Sequence, residues 1–457
     1  MTDHSADLVI LGGGSGGYAA ALRAAELGKT VVIVEKDKLG GTCLHRGCIP
    51  TKALLHSGEV ADTVRDAASV GVHVTLDHID PVAARTYREG IVAKKYKGLQ
   101  GLIASRKITV VAGDGVLESG PAVRVGDDVY RGTDVVVATG SFPRTLPGVE
   151  IGGRILTSEQ ALDLAEVPGS VIVLGGGVIG VEFASAWRSL GAEVTIVEAL
   201  DRLLPTDDAT VSKALERAYR KRGIAFTLGS RVETVAQTAD AVTVTLDNGT
   251  VLSADYLLVA IGRGPSTSGI GLEEVGVALE RGFVHTDDHL RTDAPHVWAV
   301  GDIVPGPQLA HRGFQQGIFV AEEIAGLRPV LVPDAHLPRV TYSRPEVASV
   351  GLTEAQAIDA HGADAVITYE YNLAGNAKSE ILHTSGLAKI IRLKDGPVIG
   401  THLVGDRVGE LITEAQLAVG WEAHPEDIAP YVHAHPTQSE ALGEAFLAMA
   451  GKPLHTL

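Results

Sequence analysis

Two stretches of the chain share one succession: a short apolar run, a glycine-broken turn, a run with apolar residues at helical spacing, then a second apolar run closed by an acid. The first apolar runs are 7–11 (DLVIL) and 170–174 (SVIVL), and the closing runs are 30–35 and 193–198. This pattern predicts two β-α-β units. Residues 134–139 (DVVVAT), 255–261 (DYLLVAI) and 296–300 (HVWAV) are apolar without alternation, as expected of strands covered on both faces, and they end at Gly140, Gly262 and Gly301. The Pro/Gly-rich residues 143–153 and the segment 263–271 break both periodicities and are expected to cross between domains. From about residue 336 the texture turns to more polar strands (388–392, 398–404) and a helix over 410–422, which predicts a third domain.

The repeat is numerical as well as textural. Gly12, Gly14, Gly17 and Glu35 recur as Gly175, Gly177, Gly180 and Glu198, each displaced by 163 residues. In such a G-x-G-x-x-G turn the first glycine permits a tight bend, the second admits a pyrophosphate to the backbone, and the third lets the helix pack closely. The helix N-terminus holds the anion through unpaired N–H groups and its dipole. Glu35 and Glu198 close the following strands, where a carboxylate can accept ribose hydroxyls or simply cap the strand end. An acid at 198 favours NAD over NADP by repelling a 2′-phosphate, with Arg202 nearby as a countervailing charge. The fold class expected is α/β: two Rossmann-like dinucleotide-binding domains plus a C-terminal α+β domain. Two such sites imply two dinucleotides, and the economical pairing is a tightly held FAD with a diffusible NAD.

Composition narrows the classes further. The 457 residues suggest two to four domains. A formal charge of −17 argues against nucleic acid as a partner. No apolar run approaches the roughly eighteen residues of a membrane helix, and the short polar N-terminus lacks the features of a secretory signal. A cytoplasmic protein with no membrane partner is expected. There a persistent structural disulfide would be unusual, so the only two cysteines, Cys43 and Cys48, need a chemical reason. With His45 they fall short of a structural zinc set, and no metal is expected.

Residues 40–52, GGTCLHRGCIPTK, follow the first unit directly. This segment is similar to the active-site signature of the flavoprotein disulfide reductases, and the likeness extends over most of the chain. Thiol exchange runs by thiolate attack on a disulfide, so two nearby cysteines can take up two electrons and resolve a mixed disulfide. The resemblance implies that Cys43 is the interchange thiol toward substrate and Cys48 the thiol facing the flavin. A staple closing a short loop is the bland alternative, worth about 2 kcal/mol. Residues 433–440, HAHPTQSE, resemble the family's HxHPTxSE motif. There His435 would be the acid-base and Glu440 would orient its ring, and the motif would reach the cysteines of the other subunit of a homodimer.

The resemblance also implies flavin contacts at Thr42, Gly115, Thr139, Gly140 and Ser141, and at Asp302 with Gln308, Leu309, Ala310 and His311. Lys52 and Glu182 would pair near the flavin, and Gly262 would border the nucleotide region. The domains implied are 1–145 and 266–335 for FAD, 146–265 for NAD, and 336–457 for dimerisation. Within the family, the absence of cysteine after Cys48, the acid at Glu198 and residues 371–379 (YNLAGNAKS) are most similar to dihydrolipoamide dehydrogenases. Partners would then be the lipoyl domains of 2-oxo acid dehydrogenase or glycine cleavage complexes. A reductase of another disulfide or a quinone, or a nucleotide-binding subunit that does not cycle, are the competing readings. His45 departs from the family pattern and would either tune the thiols or be merely tolerated.

Overall fold

The computed structural model describes residues 2–455. The chain divides into two compact units, Met1–Ala53 with Val82–Arg144 and Gly262–Asp334, and Leu54–Pro81 with Thr145–Ile261 and Ala335–Leu457.

In the first unit, strands Thr109–Ala112, Val31–Glu35, Thr2–Leu11 and Asp128–Val137 lie side by side in that order, all parallel. Val297–Ala299 adds parallel to the far side of Asp128–Val137. Antiparallel strands Ala122–Val125 and Gly115–Glu118 extend the sheet beyond the same strand's first half. Leu8, Val9, Ile10 and Val135–Val137 are fully buried, as their unbroken apolar runs require. The first strand starts earlier than its apolar stretch because Thr2–Ala6 pair in register with Asp128–Gly132. Helices Ser15–Glu26 and Ala310–Ile324 pack against each other at glycine contacts. A Cβ at Gly317 would lie 2.2 Å from the Gly16 carbonyl oxygen, and one at Gly313 would lie 2.9 Å from Ser15 Oγ. The segment 263–271, expected as a crossing, begins with a strand, Arg263–Pro265, that pairs antiparallel with Ser141–Pro143, at the edge of the other expected crossing, 143–153.

The second unit repeats the parallel arrangement: Ala225–Thr227, Glu193–Val197, Ser170–Leu174, Tyr256–Val259 and Ile155–Thr157, in that order. In both sheets the strand preceding the glycine turn has neighbours reached by connections running in opposite directions, the switch point at which such sheets bind ligands. A three-stranded antiparallel sheet, 232–254, packs its apolar side on this core through Val242, Val244 and Leu246. The C-terminal part is a five-stranded antiparallel sheet: Arg339–Thr341, Glu346–Gly351, Val398–Gly405, Leu387–Leu393 and Val366–Asn372. Helices Val408–Gly420 and Glu440–Met449 cover one face of it through Ile412, Ala415, Leu442 and Phe446. Val347 and Val404 belong to the same apolar cluster as Val181, Phe183 and Leu215, so the C-terminal sheet and the second parallel sheet share a core. The helices Cys48–Asp66 and Pro81–Ser105 add to what the pattern predicts. The latter buries only Arg88, Leu99 and Ile103, too sparse a stripe to show as helical periodicity.

Candidate active site

The two glycine turns are near copies. Gly12 and Gly175 have φ of +104° and +108°, and a Cβ on either would lie 2.4 Å from the carbonyl oxygen of Ala138 or Ala260 on the neighbouring strand. Only glycine fits there. Gly14 and Gly177 are extended, cap helices Ser15–Glu26 and Val178–Leu190, and have nothing within 4 Å of the Cβ position. A Cβ at Gly17 or Gly180 would lie 1.9 Å from the carbonyl oxygen of Gly12 or Gly175. The third glycine therefore serves helix packing, and the second keeps open the space in front of the helix N-terminus. Such a cradle fits a dinucleotide's diphosphate.

The acids are tied into the same turns. Glu35 Oε2 accepts the Gly13 N–H at 2.7 Å and Oε1 accepts that of Asp37 at 2.8 Å. Glu198 does the same with Gly176 at 2.6 Å and Leu200 at 2.8 Å. Both carboxylates thus brace the turn, and each keeps acceptor capacity for a hydroxyl. Burial pushes the Glu35 carboxyl up against the pull of the Gly13 amide. The likeness runs past the acids. Gly40 N–H donates to the Gly13 carbonyl at 2.8 Å, and Leu204 N–H donates to that of Gly176 at 2.8 Å. No spacing rule of the fingerprint signals this shared strap.

In the first unit that strap carries the cysteines. A Cβ at Gly41 would lie 2.8 Å from Gly14 Cα, which sets the loop directly over the first glycine turn. A short helix, Gly41–His45, places Thr42 and Cys43, and Cys48 begins the helix Cys48–Asp66. Cys43 and Cys48 are both reduced and partly buried. The Cys43 and Cys48 side chains share a hydrogen bond, and this bond, with burial and the neighbouring sulfur's charge, pushes the Cys43 thiol up against the pull of Lys52. Cys48 stands at the N-terminus of its helix. Tyr18, on the helix behind the first glycine turn, is pushed up to about 12 by burial and by the two sulfurs. Its place beside the thiols has no sequence signal. The His45 ring is engaged at 2.9 Å by the Leu39 carbonyl and edge-on by Tyr96, so it holds the loop.

The other expected flavin contacts of this unit form a connected set. Ser141 Oγ donates to Asp302 Oδ2 at 2.6 Å and accepts from Arg263 Nε at 2.7 Å. Thr139 Oγ1 donates to the Ser266 carbonyl at 2.6 Å, and Gly140 and Gly262 have φ of +75° and +105° with open space at the Cβ position. Gln308 Nε2 reaches the Asp302 carbonyl at 3.4 Å, and Leu309 caps the helix that begins with Ala310 and His311. Gly115 is explained by packing: a Cβ would meet Leu11, Val34 and Val123 within 2.9 Å, which leaves only its backbone to a ligand. Lys52 lies in the first turns of Cys48–Asp66. Glu182, in the second unit, is buried and accepts the Tyr342 N–H at 2.9 Å.

The C-terminal motif has a second locus of chemistry. His435 Nδ1 and Glu440 Oε1 are 2.8 Å apart, and Glu440 Oε2 accepts the Thr437 N–H at 2.8 Å. Burial works against the Glu440 charge, but the Thr437 amide and the His435 ring hold its carboxyl below the usual range. The loop is anchored from the segment 371–379: Asn376 Nδ2 donates to the Thr437 carbonyl at 3.0 Å, and Ser379 Oγ to Gln438 Oε1 at 2.6 Å. Asn376, Ser379 and Gln438 are buried, so a stretch notable in the sequence only as a family likeness does mechanical work. Ser379→Ala leaves the Gln438 carbonyl unpaired and is expected to cost about 1–3 kcal/mol. A urea midpoint unchanged by this substitution would deny the anchor.

Among the described residues no helix is long and apolar enough to cross a membrane, and no cluster of His, Cys, Asp and Glu could hold a metal ion. Residues 6–317 match the family described as pyridine nucleotide-disulphide oxidoreductase, and 337–446 match its dimerisation domain. A dihydrolipoyl dehydrogenase of Bacillus subtilis is 40% identical, covering 98% of this chain and 99% of that one. Dihydrolipoyl dehydrogenase 3 of Pseudomonas putida is 41% identical, with 98% of each covered. The crystal structure of LpdA from Mycobacterium tuberculosis superposes with a TM-score of 0.90 at 31% identity, covering 98% of this chain and 100% of that one. Two glycine cradles, a thiol pair over the first, a histidine–carboxylate pair and full-length likeness converge: the chain belongs to the pyridine nucleotide-disulphide oxidoreductase family.

Proposed function

We propose that the protein is a dihydrolipoamide dehydrogenase that uses FAD and NAD. The observation that carries this reading is the thiol pair strapped over the first glycine turn. Relatives bearing the name dihydrolipoyl dehydrogenase align over nearly the whole chain. The net reaction gives lipoamide, NADH and a proton from dihydrolipoamide and NAD⁺. Cys43 attacks or releases the substrate sulfur, Cys48 closes or opens the Cys43–Cys48 disulfide, and His435 accepts the thiol proton with its ring set by Glu440. FAD supplies the two-electron relay between sulfur and nicotinamide.

On this reading residues 1–145 and 266–335 form the FAD-binding part, 146–265 the NAD-binding part and 336–457 the interface of a homodimer. The first site would use Gly12, Gly14, Gly17, Glu35, Thr42, Lys52, Thr139–Ser141, Asp302 and 308–311, with the Gly115 backbone. The second would use Gly175, Gly177, Gly180, Glu198 and Gly262. The partners are lipoyl domains of 2-oxo acid dehydrogenase or glycine cleavage complexes, in a cytoplasmic setting whose reducing poise suits a cycling dithiol.

Anaerobic addition of dihydrolipoamide to the purified holoprotein should bleach flavin absorbance, and NAD⁺ but not NADP⁺ should restore it. Bleaching by NADH with none by dihydrolipoamide would leave a reductase of another disulfide or a quinone. No bleaching by either would mean a subunit that does not cycle. Glu198→Ala removes charge-assisted hydrogen bonds worth about 1.5–3 kcal/mol. It is expected to lower kcat/KM for NAD⁺ on the order of tenfold to a hundredfold and to narrow the NAD⁺/NADP⁺ ratio. An unchanged ratio would remove Glu198 from nucleotide choice.

A further inference from the structure

His433, the first histidine of the C-terminal motif, has no part in the reading above. It is nonetheless built in with care. Its Nε2 lies 2.8 Å from Glu414 Oε1 on helix Val408–Gly420, and its side chain is only 14% exposed, against 73% for His435. The ring rests on helix Glu440–Met449 at Gly443, where a Cβ would fall 2.4 Å from His433 Nδ1 and 2.8 Å from Cε1. Gly443 stands three residues after Glu440, so the two are neighbours on one face of that helix. A second histidine–carboxylate pair therefore lies alongside the first.

We propose that His433, clamped by Glu414 against Gly443, is a positioning residue that fixes the charge and placement of Glu440 and through it the proton affinity of His435. The inference rests on the role given to His435 in the proposed function. Glu414 holds the His433 ring above the usual imidazole range, against the effect of burial, and Glu440 adds to that pull. In return, the His433 charge is one of the groups that keep Glu440 ionised. The groups facing the array are Glu414 from one helix, Glu440 from the other, His435 from the loop itself, and Tyr371 of strand Val366–Asn372, whose phenol is pushed up by burial and by Glu444 and Glu440. Nothing else in the loop explains why a glycine is needed under the ring.

The sign follows from the charges. His433→Gln keeps an N–H for Glu414 but removes a positive charge and leaves that carboxylate uncompensated, which favours the protonated His435 ring. The test is a titration of ¹³C-histidine-labelled holoenzyme by NMR, with the His435 resonance assigned from His435→Gln. A rise in the His435 midpoint of about half a unit is expected, the size a unit charge exerts through a water-like medium at second-neighbour range. The acid limb of kcat/KM for dihydrolipoamide should move the same way. Gly443→Ala, which displaces the ring and alters no titratable group, should shift the midpoint in the same direction. A His435 midpoint unmoved in both variants would overturn the proposal. The titration needs no lipoyl substrate, so inactivity of the unsubstituted enzyme toward dihydrolipoamide would instead count against the proposed function.

Discussion

Replacing His435 with alanine is expected to lower dihydrolipoamide turnover by a factor on the order of 10² to 10⁴, with fold and flavin content retained. The ring is 73% exposed and contacts Glu440 through Nδ1, so it contributes little to packing. With Nδ1–H donated to the carboxylate, Nε2 is the basic nitrogen, presented outward on a loop anchored by Asn376 and Ser379. Glu440→Gln should be milder, because the Thr437 N–H can still reach the amide oxygen while the charge that favours the imidazolium is lost. The measurement is steady-state oxidation of dihydrolipoamide beside flavin absorbance of the purified variant. Undiminished turnover removes His435 from the mechanism. Mixing His435→Ala with Cys48→Ser subunits tests the homodimer as well: recovery of activity on mixing requires that loop and thiols come from different chains.

The largest expected loss of stability lies away from the chemistry. Lys389, on strand Leu387–Leu393, is only 1% exposed, and its Nζ lies 2.8 Å from Asp208 Oδ1 and 2.6 Å from Glu354 Oε2. Asp208 is itself 2% exposed, caps helix Ala209–Lys221 through the Thr210 N–H, and accepts the Glu354 N–H at 3.0 Å. The pair ties the C-terminal sheet to the segment that follows Glu198 and straps Gly176. Lys389→Ala leaves a buried carboxylate uncompensated and is expected to cost about 3–5 kcal/mol, read as a lower urea midpoint. Lys389→Met combined with Asp208→Asn should recover most of it, since no buried charge is then stranded and the Glu354 carboxylate is open to solvent. A double variant as unstable as the single one would show that packing, not charge, is what Lys389 supplies.

The same row of the sheet carries an acid sensitivity. His402 pairs across the strands with Lys389 and with Ser349 and is fully buried. Burial pushes its ring down to about 4 from the ordinary 6.5. Because the unfolded chain takes up that proton more readily, the His402 contribution is complete above pH 6.5 and is lost as pH falls toward 4, about 3 kcal/mol in all. This loss comes at higher pH than the lysine network's own, where Asp208, held low by Lys389 despite burial, must be protonated.

Local rules made much of the protein legible. Unbroken apolar runs mark buried parallel strands because both faces must be covered, and the glycines of each turn are forced by positive φ or by contacts that admit no Cβ. The repeated offset then exposes two glycine turns, and CxxxxC and HxHPTxSE stand out as motifs because their residues lie within a few positions of one another. Pairings between residues far apart in the chain leave no such trace. Tyr18 beside the thiols, Ser141 with Asp302, Ser379 with Gln438, and Glu414 with His433 each join residues whose separation is set by how sheets and helices stack. Sequence by itself determined the two glycine turns, because backbone sterics are a property of single residues and short spacings, and it pointed to the thiol pair and the histidine motif through their family resemblance. Tertiary structure alone decided how far the thiols are buried, what holds the histidine loop and which ion pair is buried, because burial and charge proximity exist only once distant segments have packed.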